Sequence, residues 1–132
     1  MVKIDTKEKF TVVTPIMQEL PANIAAELVK TCEERLQKDV KNVILNLQHL
    51  SFVEADSAEA LYELQQKFYE QNQSFVICGL QQTVEKAFEK TELLELLNIT
   101  PTESEAWDIV QMEEIERELL DGDDMEFGTS SE

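Results

Sequence analysis

The stretch Val43–Leu64, VILNLQHLSFVEADSAEALYEL, decides the fold. Its opening residues, Val43–Leu47, are almost continuously apolar, the pattern of a strand covered on both faces within a parallel sheet. From Ala58 the period changes: Leu61, Leu64 and, beyond the stretch, Phe68 recur at helical spacing, and the helix is expected to run to about Gln71. A tight loop joins the two. In an open parallel sheet such loops, at the C-terminal ends of strands, are where functional residues gather.

The flanking sequence extends the same architecture. Val2–Asp5 and Phe10–Ile16 read as two short strands around the polar turn Lys7–Lys9, and Pro15 puts the end of the second at a sheet edge or just past its pairing. After a loop containing Pro21, Asn23 is expected to cap a helix running to about Gln37, with Ile24, Leu28, Cys32 and Leu36 on its inner face. Asn72 and Gln73 break the second helix, and Phe75–Cys78 is a further buried strand ended by Gly79. Thr83–Lys90 forms a short helix, Thr91–Leu97 (TELLELL) another turn or two, and Ile99–Thr100 a short edge strand. Thr102 and Glu105 stand at capping-box spacing before a last helix carrying Trp107, Ile109, Val110, Met112, Ile115 and Leu119. Ile115 and Leu119 are expected to pack on the domain itself in preference to offering a stripe to a partner.

The pattern is that of an α/β fold: one domain with a mostly parallel central sheet of four to five strands and four to five helices. Residues 1–112 form the domain, and 113–132 an acidic extension, helical at first and disordered beyond Leu120. The formal net charge of −17 opposes nucleic acid and anionic membrane surfaces. Nine acidic side chains against one arginine place −8 of it in residues 113–132, either a solvated tail or an arm for a basic partner. Cys32 and Cys78 lie within apolar patterns and read as buried thiols of a reducing compartment. No segment approaches the ~20 apolar residues of a membrane span, and the N-terminus has no signal-peptide run, so direct membrane insertion is not expected and the cytoplasm is.

Catalytic chemistry finds few candidates. His49 is the single histidine, and three glycines are too few for a glycine-rich phosphate cradle. Carboxylate pairs such as Glu33/Glu34 and Glu113/Glu114 are solvated helix faces in so acidic a chain. Neither a catalytic residue nor a metal ligand nor a cofactor is expected; the chain reads as a binding and signalling protein, not an enzyme.

The loop carries the more specific signal. A helix N-terminus offers free N–H groups and the positive end of the macrodipole, so it favours negative charge. The run NLQHLSFVEADSAEAL, residues 46–61, resembles the signature of the STAS domain, the family of bacterial anti-sigma factor antagonists, whose members typically read D-L-S-x-V-x-F-I-D-S-S-G-L-x-x-L. Leu47, Leu50, Phe52, Val53 and Leu61 match its apolar positions, while Glu54 replaces the aspartate, Ala55 the first serine, Asp56 the phosphorylated serine and Ser57 the glycine.

The resemblance implies a partner-switching protein without a cofactor. Its partner would be a serine kinase that is also an anti-sigma factor, released when the loop serine is phosphorylated. The alternative it implies is a constitutive accessory subunit of a lipid-transport ABC system, bound to an ATPase subunit. Asp56 then stands at the phosphoacceptor position, either as a fixed charge imitating phosphate or as a helix N-cap paired with Glu59 in a D-x-x-E box. Ser57 is the alternative phosphosite. The contact surface is expected to comprise Phe52, Glu54, Ala55, Asp56 and Ser57 with Glu59, Tyr62, Glu63 and Gln66 on the helix that follows. Tyr62 serves there as an aromatic anchor or as part of the core rim.

Overall fold

The computed structural model describes residues 2–122, with side chains described as far as Leu120. In chain order it contains β1 (Val2–Thr6), β2 (Thr11–Pro15), β3 (Glu19–Leu20), α1 (Ala22–Glu33), a 3₁₀ turn (Glu34–Gln37), β4 (Val43–Asn46), β5 (Phe52–Val53), α2 (Ala55–Glu70), β6 (Phe75–Cys78), α3 (Gln82–Lys90), β7 (Ile99–Thr100) and α4 (Glu103–Gly122). The main sheet has the order β1-β2-β4-β6-β7, in which only the β1–β2 hairpin is antiparallel. This is the expected α/β class, with a five-stranded, mostly parallel sheet. Pro15 pairs with Val2 on the β1 side, where its missing N–H is tolerated, while the parallel register with β4 ends at Val13.

Burial on both faces of the sheet explains the unbroken apolar runs. Alternate residues of the central strands point to opposite sides. Val43, Leu45, Phe75 and Ile77 meet Leu28, Cys32, Leu61, Leu64, Phe68, Val84 and Phe88, which come from α1, α2 and α3. Ile44, Val76 and Cys78 face the other way, against Ala106 and Val110 of α4. Phe68 and Phe75 are fully buried with ring centroids 5.2 Å apart, so the larger core is anchored by an aromatic pair.

Several expectations need correction. Pro21, not Asn23, precedes α1: its extended backbone starts the helix, and its carbonyl accepts from Ala25 N at 2.9 Å. TELLELL forms turns in place of a helix. Glu92 adopts φ 62°, and Leu93 N and Glu92 N return to the carbonyls of Phe88 and Glu89 at 2.9 and 3.0 Å, a Schellman closure that ends α3. Ile115 and Leu119 do not pack on the domain; both are exposed. α4 runs without a break across residues 112 and 113, so the start of the acidic extension is part of that helix, and the segment from residue 123, for which disorder is expected, lies outside the described residues.

Candidate functional site

Between β4 and α2 the chain is tied down on several sides. Leu47 N donates to Cys78 O at 3.0 Å and Gln48 N to Asn46 Oδ1 at 3.0 Å, which fixes the exit from β4. Gly79 makes room for this turn: at φ 74° it approaches so closely that a Cβ would lie 2.8 Å from Asn46 Oδ1. Ser51 N and Phe52 N both donate to Gln18 O, and β5 pairs in parallel with β3, Glu19 opposite Phe52 and Leu20 opposite Val53. From the other side Thr83 Oγ1 donates to Ser51 O at 2.7 Å and Gln81 Nε2 to Gln48 O at 2.8 Å. The loop is therefore a braced platform.

The start of α2 differs from the D-x-x-E box. Glu54 is the N-cap residue, and Ala58 N already donates to its carbonyl at 3.0 Å, so the helix begins three residues earlier than expected. Asp56 is consequently inside the first turn and exposed, not at the cap, and Glu59 lies in the following turn. The Glu54 side chain caps a different helix: its Oε1 accepts from Ala22 N, the first residue of α1, at 3.2 Å. No side-chain hydrogen bond caps the α2 N-terminus, and Asp56 is the acidic residue in its first turn, where a carboxylate complements the macrodipole.

Ser57 is fully buried and donates its hydroxyl to Leu20 O at 2.8 Å. Glu54 N donates to that same carbonyl at 3.3 Å. Ser57, expected as the alternative phosphosite, is thus buried: a kinase would reach it only after the β3–α2 junction had opened.

The remaining candidates divide by the helical period of about 100° per residue. Ala55, Glu59, Tyr62 and Gln66 share one flank of α2. Asp56 and Glu63 share the other with Lys67, which pairs with Glu33 of α1 at 3.1 Å. Tyr62 is half-buried against the core and accepts a hydrogen bond from Gln66 Nε2 at 3.0 Å, which places it at the core rim. The prominent aromatic is Phe52, 52% exposed.

Phe52, Val53, Glu54 and Ala55 form one wall of a groove of about 520 Å³ whose other wall is α3, with Thr83, Lys86, Ala87 and Lys90. Those α3 residues are absent from the sequence-derived surface. Their signal lay in TVEKAFEK, where Lys86 and Lys90 share a helix face beside Ala87 in a chain with eleven cationic side chains in all. The groove thus sets apolar Phe52, Val53, Ala55 and Ala87 beside the two lysines of α3, with Glu54 as its one acidic lining residue.

Reactive groups do not converge here. His49 is exposed, with its Nε2 at 3.3 Å from Gln48 Nε2. Cys32 and Cys78 are free thiols pushed up to about 12, chiefly by desolvation, and so remain protonated at neutral pH. Among the described residues there is no cluster of three or more His, Cys, Asp or Glu side chains fit to hold a metal, and no helix long and apolar enough to cross a membrane.

Residues 2–106 match the family model of the STAS domain. Solved structures of similar fold include a putative anti-sigma factor antagonist of Thermotoga maritima, with a TM-score of 0.74 and 20% identity over 83% of this chain and 94% of that one. A serine-to-glutamate variant of RsbS from Moorella thermoacetica aligns with a TM-score of 0.70 and 15% identity, covering 88% and 97% of the two chains. The Bacillus cell fate determinant SpoIIAA in its phosphorylated form gives 0.62 and 18%, covering 83% and 99%. At such identities the likeness is one of fold.

Proposed function

Because this chain belongs to the STAS domain family, we propose that it is a non-catalytic regulatory module that docks on a protein partner through the Phe52 groove. The observation that carries this reading is the braced loop holding Phe52 half-exposed beside α3. A large aromatic held rigidly at the surface loses little entropy on binding, which is what an interface anchor requires. The partner that fits is of the anti-sigma factor type, since similar folds belong to anti-sigma factor antagonists, and the family resemblance adds that such a partner would also carry a serine-kinase domain. Similar folds exist in a phosphorylated form and with glutamate in place of a serine, which supports a role for negative charge on such domains. In this chain Asp56 supplies a permanent negative charge at the open end of α2, and Ser57 is withdrawn. We therefore assign the module one fixed setting, with binding governed by partner supply and not by a phosphate on this loop.

Affinity capture of the full chain from its native cells, beside Phe52→Ala and Lys86→Glu variants, tests this. A regulator with a serine-kinase or anti-sigma domain should be recovered by the parent chain and lost with either variant, and intact mass should show an unmodified segment 46–70. Recovery of an ABC ATPase subunit in its place would establish the constitutive accessory role. Retention of the partner by both variants would remove the groove from the interface.

A further inference from the structure

The C-terminal half of α4 is amphipathic in reverse. Three of its five charged side chains, Glu113, Glu114 and Arg117, face the domain: Glu113 accepts from the Tyr69 hydroxyl at 2.8 Å and from the Ser74 hydroxyl, and Glu114 accepts from Asn42 Nδ2 at 2.7 Å. Arg117 donates to Ser74 Oγ at 3.0 Å and to Asn42 Oδ1 at 3.3 Å. Its apolar side chains face outward, with Met112, Ile115 and Leu119 exposed by 61, 56 and 66%. Spaced at three and four residues, they form one stripe about 10 Å long, turned roughly half a revolution from Val110 and Arg117. A helix that served only to cover the sheet would carry these two sets the other way round.

Charge specifies what fits the stripe. Over residues 103–120, α4 has seven acidic side chains and Arg117 as its only cation, and the polar latch turns that cation inward. Asp108 lies in line with the stripe, and Glu116 and Glu118 flank it on either side. Beside Ile115 lies a cleft of about 290 Å³ in which Glu114 and Glu118 outnumber the single cation Lys9. A second copy would bring Glu116 and Glu118 against their own equivalents on a chain of charge −17. We infer that the outer face of α4 is a second docking surface, which receives a basic amphipathic helix of a partner protein, apolar residues on the Met112–Leu119 stripe and Lys or Arg on the flanking carboxylates. α4 covers the sheet face opposite α2 and α3, so this surface is independent of the Phe52 groove.

Calorimetric titration of the full chain with two synthetic 18-residue helical peptides tests the inference. Both peptides share a leucine stripe; one has lysine flanks and the other glutamate flanks. The lysine peptide should bind one-to-one, more weakly as NaCl is raised, and the glutamate peptide should not bind. Ile115→Ser with Leu119→Ser should weaken lysine-peptide binding at least tenfold with an unchanged circular dichroism melt, whereas Phe52→Ala should leave it intact. Equal binding by parent and double variant would reduce the effect to adhesion on an acidic chain. No binding, equal binding of the glutamate peptide, attachment to zwitterionic phosphatidylcholine vesicles through the stripe, or a sedimenting dimer that the double variant dissolves would each overturn it.

Discussion

Ser57 and Asp56 are neighbours with opposite surroundings, one hydroxyl buried on the Leu20 carbonyl and one carboxylate exposed in the first turn of α2. Ser57→Ala should therefore lower stability by about 1 kcal/mol, the net value of one hydrogen bond, since Leu20 O keeps the Glu54 amide. Urea unfolding measures it, and an unchanged midpoint would mean that the hydroxyl ties nothing. Asp56→Asn should cost only the macrodipole contribution of about 0.3–1 kcal/mol, less at high salt. A loss above that range which persists in 1 M NaCl would point to a capping role that the geometry does not give it. The sequence assigns the cap to Asp56, whereas Glu54 holds that position and Asp56 stands in the first turn. Two contacts across the chain, Glu54 with Ala22 N and Ser57 with Leu20 O, set the true register, and neither leaves a local signature. Ser57 reads as an ordinary loop serine until the two-residue strand β3 is laid beside β5.

Elements whose burial follows a single period were legible; those shaped by their ends were not. The buried strands β4 and β6 and the inner faces of α1, α2 and α3 emerge from apolar spacing, and the Thr102/Glu105 capping pair from its T-x-x-E spacing, with Thr102 Oγ1 accepting from Glu105 N at 3.2 Å. TELLELL fails because a closing turn sends its leucines different ways, with Leu97 buried, Leu93 and Leu94 packed against the cluster and Leu96 exposed. The direction of α4 past Met112 fails for a different reason. Carboxylates seldom face a domain, and here they do so because Asn42, Tyr69 and Ser74 present donors at the ends of β4, α2 and β6. Asn42 is central to that latch, since its Oδ1 also accepts from the buried Ser74 amide at 2.8 Å. Asn42→Ala leaves this amide without an acceptor and should cost about 1–3 kcal/mol. Hydrogen exchange should then quicken at Ser74 and along the C-terminal half of α4. Faster exchange confined to the β1–β2 hairpin would show that Asn42 acts through Lys9 O instead.

For the whole molecule, charge and burial pull stability in separate directions with conditions. The chain carries −17, and the described residues form three ion pairs, of which Asp5–Lys7 and Glu33–Lys67 lie at the surface. Salt should therefore relieve more repulsion than it removes attraction, and raising NaCl from about 0.1 to 1 M, which shortens the Debye length from about 10 to about 3 Å, should raise the melting temperature. Burial acts at the alkaline end. Cys32 and Cys78 are pushed from 9.0 up to about 12, chiefly by desolvation, and Tyr69 is raised above 10.0 by desolvation and by its hydrogen bond to Glu113. Folding holds these protons more tightly than the unfolded chain does. Their contribution to stability is complete below about pH 9 and is lost as pH climbs from there through the folded values, because the unfolded state then binds fewer protons. Urea midpoints should be level between pH 7.5 and 8.5 and fall between 9 and 10. Cys32→Ala with Cys78→Ala lowers the midpoint throughout by leaving small cavities, but it should flatten the fall, since Tyr69 alone remains to titrate in the folded core. An equally steep fall in the double variant would assign the alkaline loss to surface charge, and the salt dependence measured at pH 10 would then steepen with it.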